Sequence, residues 1–224
     1  MPHSIIDNLN KINKEIESES KKWQQEKVKL IAVSKKQPVN KIQDLINAGH
    51  LYFAENQIKE ANEKWPNILK NNQKIKLHFI GHLQRNKTKE ALKLFDIIET
   101  IDNEKLALEI TKHLTESSKT KEMLIQINIG KEEQKYGIEP EIASEFIKFT
   151  INDLKLPIKG LMCIPPKDEN PAPFFAFMKK IAKENNLHYL SQGMSNDYKE
   201  AIKIGTSQVR IGTNIFGLRE GYTQ

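Results

Sequence analysis

VKLIAVSKKQPVNKIQDLINAG, residues 28–49, holds one full cycle of the pattern that decides the fold. Its first seven residues form an apolar run suited to a strand. Two lysines and a proline end the run, after which Ile42, Leu45 and Ile46 make a helical stripe that Gly49 closes. A strand with little polarity on either face, followed by a helix, is the unit of a parallel sheet whose faces are covered.

The cycle recurs along the chain. LYFAEN precedes a helix through QIKEANEKW, KLHFIGH precedes NKTKEALKLF, DIIETI precedes EKLALEITKHLTES, and MLIQINI precedes PEIASEFIKFTIND. IKGLMCI then leads to PAPFFAFMKKIAKEN and HYLSQG to NDYKEAIKIG, while QVRIG ends the series with TNIFGLREGY left for a final turn. Eight strands alternating with helices predict an α/β fold, a single (β/α)8 TIM-type barrel. An additional N-terminal helix is expected from the stripe Ile5, Ile6, Leu9, Ile12 and Ile16. A doubly wound open sheet uses the same alternation and is the alternative. No linker or composition break divides the chain, so one domain is expected over residues 1–224, and the proline-rich PPKDENPAP at 165–173 reads as an ordinary connection.

Composition narrows the function. The 224 residues are 38% hydrophobic and 29% charged, ordinary for a globular chain. The net charge is +6, but only three of the 35 basic residues are arginine, and the lysines are scattered among acidic residues. That gives diffuse attraction to phosphate without a stacking cluster, so no specific nucleic-acid partner is expected. Cys163 is the sole cysteine, which rules out an intrachain disulfide and a thiolate zinc cluster and suits a cytoplasmic setting. No segment approaches the roughly 20 apolar residues that span a bilayer, and the N-terminus has no signal-peptide core.

In a barrel the chemistry gathers at the carboxyl ends of the strands. On the last strand, Arg210 interrupts an apolar run and needs a partner. After it, Gly212 and Thr213 offer backbone N–H groups entering a short helix, and in SQGMSND Ser195 or Asn196 is placed to cap the next helix or, for Ser195, to donate to a phosphate oxygen. Helix caps and turn glycines explain the same residues blandly. His78 and His82 are too far apart on a strand to chelate one metal, which favours structural or supporting roles. Cys163 reads as a buried small hydrophobe, and His50 and His188 fall at strand starts, the wrong rim.

A lysine facing an anion site can lose its proton and condense with an aldehyde, and pyridoxal 5′-phosphate (PLP) carries both aldehyde and phosphate. Parity leaves the choice of lysine open: Lys35 inward makes Ile31 and Val33 interior, whereas Lys36 inward makes Leu30, Ala32 and Ser34 interior.

Together AVSKKQP, FAENQIKE, HFIGHLQRNK, IQINIGKEEQKYGI, GLMCIPP, LSQGMSND and VRIGTNIFG resemble the pyridoxal phosphate homeostasis protein family, from about residue 5 to residue 219. That family is related to the N-terminal barrel of alanine racemase. The resemblance implies a fold type III PLP barrel without the C-terminal β-domain, and PLP as cofactor. It implies that Lys35 forms the aldimine, that Asn56 lies near the ring and Met194 lines the pocket, that Ser195, Gly212 and Thr213 bind the phosphate, and that Arg210 faces the pyridine nitrogen. Lys36 is left a tuning role on Lys35. The chain ends at Gln224, before the domain that gives racemases a tyrosine base. A monomeric carrier in intracellular vitamin B6 homeostasis, without robust catalysis and with PLP-dependent apoenzymes as recipients, is therefore expected over an amino-acid racemase.

Overall fold

A computed structural model describes residues 4–217. The eight expected strands are β1 (Lys29–Val33), β2 (Tyr52–Glu55), β3 (Lys76–Phe79), β4 (Ile97–Ile101), β5 (Glu122–Ile127), β6 (Ile158–Cys163), β7 (Tyr189–Ser191) and β8 (Gln208–Ile211). They pair in sequence order as a closed barrel, all parallel. Closure excludes the open sheet, since β8 returns to β1 with Ile31 opposite Arg210 and Ala32 opposite Ile211.

Among the described residues the α-helices are α1 (Ile5–Lys22), α2 (Val39–Asn47), α3 (Ile58–Asn71), α4 (Thr88–Leu94), α5 (Glu104–His113), α6 (Ala143–Lys148), α7 (Pro171–Glu184), α8 (Tyr198–Ile204) and α9 (Thr213–Phe216). Of the expected final turn TNIFGLREGY, α9 is described and the part from residue 218 lies outside the described residues. α1 begins with a reciprocal cap: Ser4 Oγ accepts from Asp7 N–H at 3.1 Å, and Asp7 Oδ2 accepts from Ser4 N–H at 3.1 Å. Asn170 and Pro171 open α7 in the same spirit, the proline occupying a position whose N–H has no helical partner.

Two of the differences from the sequence reading have a clear physical cause. α3 runs through Pro66 to Asn71, because Ile58, Ala61, Trp65 and Ile68 keep a buried stripe across the proline. That burial outweighs the roughly 3 kcal/mol an internal proline costs. Neither Ser195 nor Asn196 caps α8. Its N-cap is Asp197, whose Oδ1 instead accepts from Met194 N–H at 2.5 Å and closes the preceding turn.

The core has two parts. Leu30, Ala32, Phe53, Leu77, Ile98, Ile125, Leu161 and Val209 join the helices in one continuous layer around the barrel. Ile31, Val33 and Ala54 form a separate cluster with Tyr52 and Ile80 inside it. The open parity question is thereby answered: with Ile31 and Val33 interior, strand alternation aims Lys35 into the barrel mouth.

Candidate functional site

Lys35 lies one residue past Ser34 at the end of β1, and both its neighbours are tied outward to α3. Ser34 Oγ donates to Glu55 Oε1 at 2.8 Å, and Lys64 Nζ donates to Ser34 O at 2.9 Å. Lys36, in the left-handed region at φ 59°, donates its backbone N–H to Glu60 Oε1 at 2.5 Å. Its side chain is exposed and is not on the cavity wall that Lys35 lines.

That cavity, about 670 Å³, fills the mouth. Lys35 and Val33 line it from β1, Met194 and Ser195 from the β7 loop, and Arg210, Gly212 and Thr213 from β8 and α9. Six of the seven residues singled out for a cofactor thus share one cavity. Asn56 is not on that wall: it lines a separate recess with Gln57, Phe79 and His82, and its buried Oδ1 has no hydrogen-bond partner.

The β7 and β8 loops are locked together. Asn214 Nδ2 donates to Ser195 O at 3.0 Å, and Arg210 N–H donates to Gly193 O at 2.9 Å. Gly193 adopts φ +94°, and a Cβ there would lie 2.6 Å from the Ala201 methyl, so the turn requires glycine. Ile215 and Phe216 N–H both return to Gly212 O. The first N–H groups of α9 precede any intrahelical acceptor and remain available at the cavity edge.

Arg210 is only 4% exposed. Its NH1 donates to Ser191 Oγ at 2.5 Å and its NH2 to Cys163 O at 2.8 Å. The counter-charge is Glu99 on β4, fully buried, with Oε2 3.9 Å from NH1. Burial alone would raise this carboxyl. The hydrogen bond and charge of His78, the charge of Arg210 and the Ser191 hydroxyl together hold it below the ordinary carboxylate range.

The two mid-chain histidines have supporting places. His78 Nδ1 lies 2.6 Å from Glu99 Oε1, and His82 Nδ1 lies 2.7 Å from Asp102 Oδ2 while its ring stacks on Tyr136 at 3.7 Å. Among the described residues no group of three or more His, Cys, Asp or Glu could hold a metal. Burial pushes the Cys163 thiol up to about 12, which leaves it a poor nucleophile.

Sequence reading missed several wall residues. Pro165, Pro166, Lys167, Glu169 and Pro171 belong to the segment read as an ordinary connection, yet they form one side of the mouth. This wall packs closely on Gly130, where a Cβ would lie 2.4 Å from Pro166 Cγ. Lys135 lines the same cavity and donates to Pro165 O at 3.0 Å. Glu99 also escaped notice, because a single carboxylate inside an apolar strand carries no motif.

A closed (β/α)8 barrel with a lysine ending its first strand and an anion-ready pair of loops on its last two is the architecture of a known domain class. The family model described as alanine racemase, N-terminal domain, matches residues 7–220. More narrowly, the chain belongs to the pyridoxal phosphate homeostasis protein family. It is 37% identical to the pyridoxal phosphate homeostasis protein of Haemophilus influenzae, over 96% of both chains. Among solved structures it resembles PipY of Synechococcus elongatus without PLP, at 27% identity and TM-score 0.84, over 96% of this chain and 100% of that one. PipY with PLP bound matches over the same shares at 27% identity and TM-score 0.80.

Proposed function

We propose that this chain binds PLP in the mouth cavity, with Lys35 as the amine that carries it, and serves intracellular PLP homeostasis as a carrier. One observation carries the reading: Lys35 shares a cavity with Arg210 and with the small-residue loops at Ser195 and Gly212–Thr213. The donor set fits the cofactor. A lysine amine, once deprotonated, can condense with an aldehyde, and hydroxyls with first-turn N–H groups suit a phosphate. The volume lies within the roughly 300–1,000 Å³ typical of small-molecule sites. The cofactor's binding to PipY and the family name support the assignment. Asn56 stands outside the cavity, and its place beside the ring rests on the family motif alone.

When bound, PLP supplies an aldehyde and an electron-withdrawing ring. Arg210 limits the second property, because a guanidinium has no lone pair with which to share a proton with the pyridine nitrogen. This supports a carrier over the racemase that the domain class would also allow. Release to PLP-dependent apoenzymes, a monomeric state, a cytoplasmic setting and a single domain over residues 1–224 belong to the same proposal. Among the described residues no helix is long and apolar enough to cross a membrane.

The test is visible absorbance of purified protein mixed with PLP, then borohydride reduction and peptide mapping. Wild type should carry the reduced adduct on Lys35, and Lys35→Ala should lose it while keeping its fold. An adduct mapped mainly to another lysine would overturn the assignment. Chiral analysis of alanine and serine should show no robust turnover, and rapid racemisation would favour the enzyme.

A further inference from the structure

Beneath the mouth, four strands contribute to one buried polar cluster. His78 comes from β3, Glu99 from β4, Ser191 from β7, and Gln208 and Arg210 from β8. Each is less than a twentieth exposed. Glu99 collects the donors: His78 Nδ1 at 2.6 Å and Gln208 Nε2 at 2.7 Å on Oε1, and Ser191 Oγ at 2.5 Å on Oε2. Tyr189 OH donates to Gln208 Oε1 at 2.7 Å, which turns the Gln208 amide nitrogen toward Glu99.

Ser191 is the joint. A hydroxyl has one proton and two lone pairs. Its proton goes to Glu99, and its lone pairs receive Gln208 Nε2 at 2.8 Å and Arg210 NH1 at 2.5 Å. Every valence is used, so the direction of each bond is fixed. The Arg210 charge is buried and its only direct carboxylate neighbour among the described residues is Glu99 at 3.9 Å, beyond hydrogen-bond range. Orientation must therefore pass through the serine, while charge compensation acts across the gap.

We infer that Glu99 is a positioning residue for Arg210, fixing the guanidinium at the cavity floor through Ser191. The inference rests on the proposed function only in giving that orientation a purpose, namely to keep a cation beside the cofactor ring. Replacing Glu99 by glutamine is disruptive for a stated reason. One carboxylate oxygen becomes an NH2 group, which must oppose either the His78 and Gln208 donors or the Ser191 proton. In the second arrangement the residue 99 NH2 donates to Ser191 Oγ and competes with Arg210 NH1 for the serine lone pairs.

The experiment is NMR of the full chain labelled with 15N-arginine, without PLP. The chain has only three arginines, Arg85, Arg210 and Arg219, and Arg210→Lys identifies the Arg210 signals by their loss. Wild type should show resolved, slowly exchanging Arg210 Nη protons. In Glu99→Gln those signals should merge and exchange roughly tenfold faster or more, as expected when local protection is lost. Unchanged Arg210 signals in folded Glu99→Gln would overturn the inference, because a purely structural glutamate would lower the melting temperature and leave the native guanidinium as it was. Ser191→Ala provides the second arm. The Nη2 signal, held by the Cys163 carbonyl, should persist while the Nη1 signal loses protection, and retention of both would overturn the inference. Failure of wild type to take up PLP would instead refute the cofactor reading and leave this NMR result standing.

Discussion

His50 sits at the entrance to β2 with its ring edge-on to Phe53, 5.1 Å between centroids, and Nε2 lies 2.8 Å from Tyr52 O. A carbonyl only accepts, so Nε2 carries the proton of the neutral ring. Burial lowers the His50 pKa from 6.5 to about 4, the Tyr52 carbonyl only partly opposing it. A depressed histidine favours the folded state while neutral. Its contribution is complete above pH 6.5 and is lost as the pH falls toward 4, where the unfolded chain binds a proton that the folded chain refuses. Between pH 7 and pH 5 the loss from this residue is about 2 kcal/mol. Urea unfolding at the two pH values should show His50→Gln, which can still donate to Tyr52 O, losing that much less than wild type, and equal losses would refute the assignment. At this scale legibility in the sequence was uneven. Arg210 announced itself as a charge in an apolar strand and His78 was read as a structural or supporting residue, whereas Glu99 passed unnoticed, because its meaning lies in contacts between strands that no local pattern encodes.

α3 shows how an element outside the barrel governs a residue inside its mouth. Lys64, with its side chain only 11% exposed, reaches Ser34 O at 2.9 Å, Glu55 Oε1 at 3.0 Å and Glu60 Oε1 at 2.6 Å. Glu60 in turn receives the Lys36 N–H. Both neighbours of Lys35 are therefore anchored to one helix. Burial raises the Glu55 carboxyl, opposed first by the Lys64 charge and then by hydrogen bonds from Ser34 and Trp65. Lys64→Met leaves that carboxylate buried without its cation and should cost about 3 kcal/mol. Adding Glu55→Gln removes the stranded charge, so the double variant should recover part of the loss in urea unfolding. Strict additivity of the two single effects would show that the pair is not coupled. The strands and helices themselves were legible from period and caps. The clamp was not, because Glu55, Glu60 and Lys64 look like any charged residues along a helix and strand end.

For the whole molecule, alternation announced eight strand–helix units but left closure open, since an open sheet has the same period. Closure is what brings Glu99 of β4 to Ser191 and Gln208 on β7 and β8, and what creates a seam between β8 and β1. α1 packs against α2, α8 and α9 near that seam, burying Leu9, Ile12 and Ile16. Asn8 Nδ2 donates to Ile215 O at 3.1 Å, and Glu15 holds both the Tyr198 hydroxyl and Lys199 Nζ, the latter at 2.8 Å. The helix thus braces α8, whose preceding loop carries Ser195, and α9, which begins at Thr213, although neither Asn8 nor Glu15 lines the mouth cavity. The Asn8–Ile215 and Glu15–Tyr198 hydrogen bonds are worth about 1 kcal/mol net each, and the part-exposed Glu15–Lys199 pair adds only a fraction of that, so the Asn8→Ala, Glu15→Ala double variant should lose about 2 to 3 kcal/mol in urea unfolding. If α1 serves the site as well as the fold, PLP affinity measured by absorbance titration should fall several-fold in the same variant, at a temperature where it is fully folded. A loss of stability with unchanged affinity would confine α1 to supporting the fold, because a brace that stiffened the loops proposed to hold the phosphate would, when loosened, weaken their grip on it.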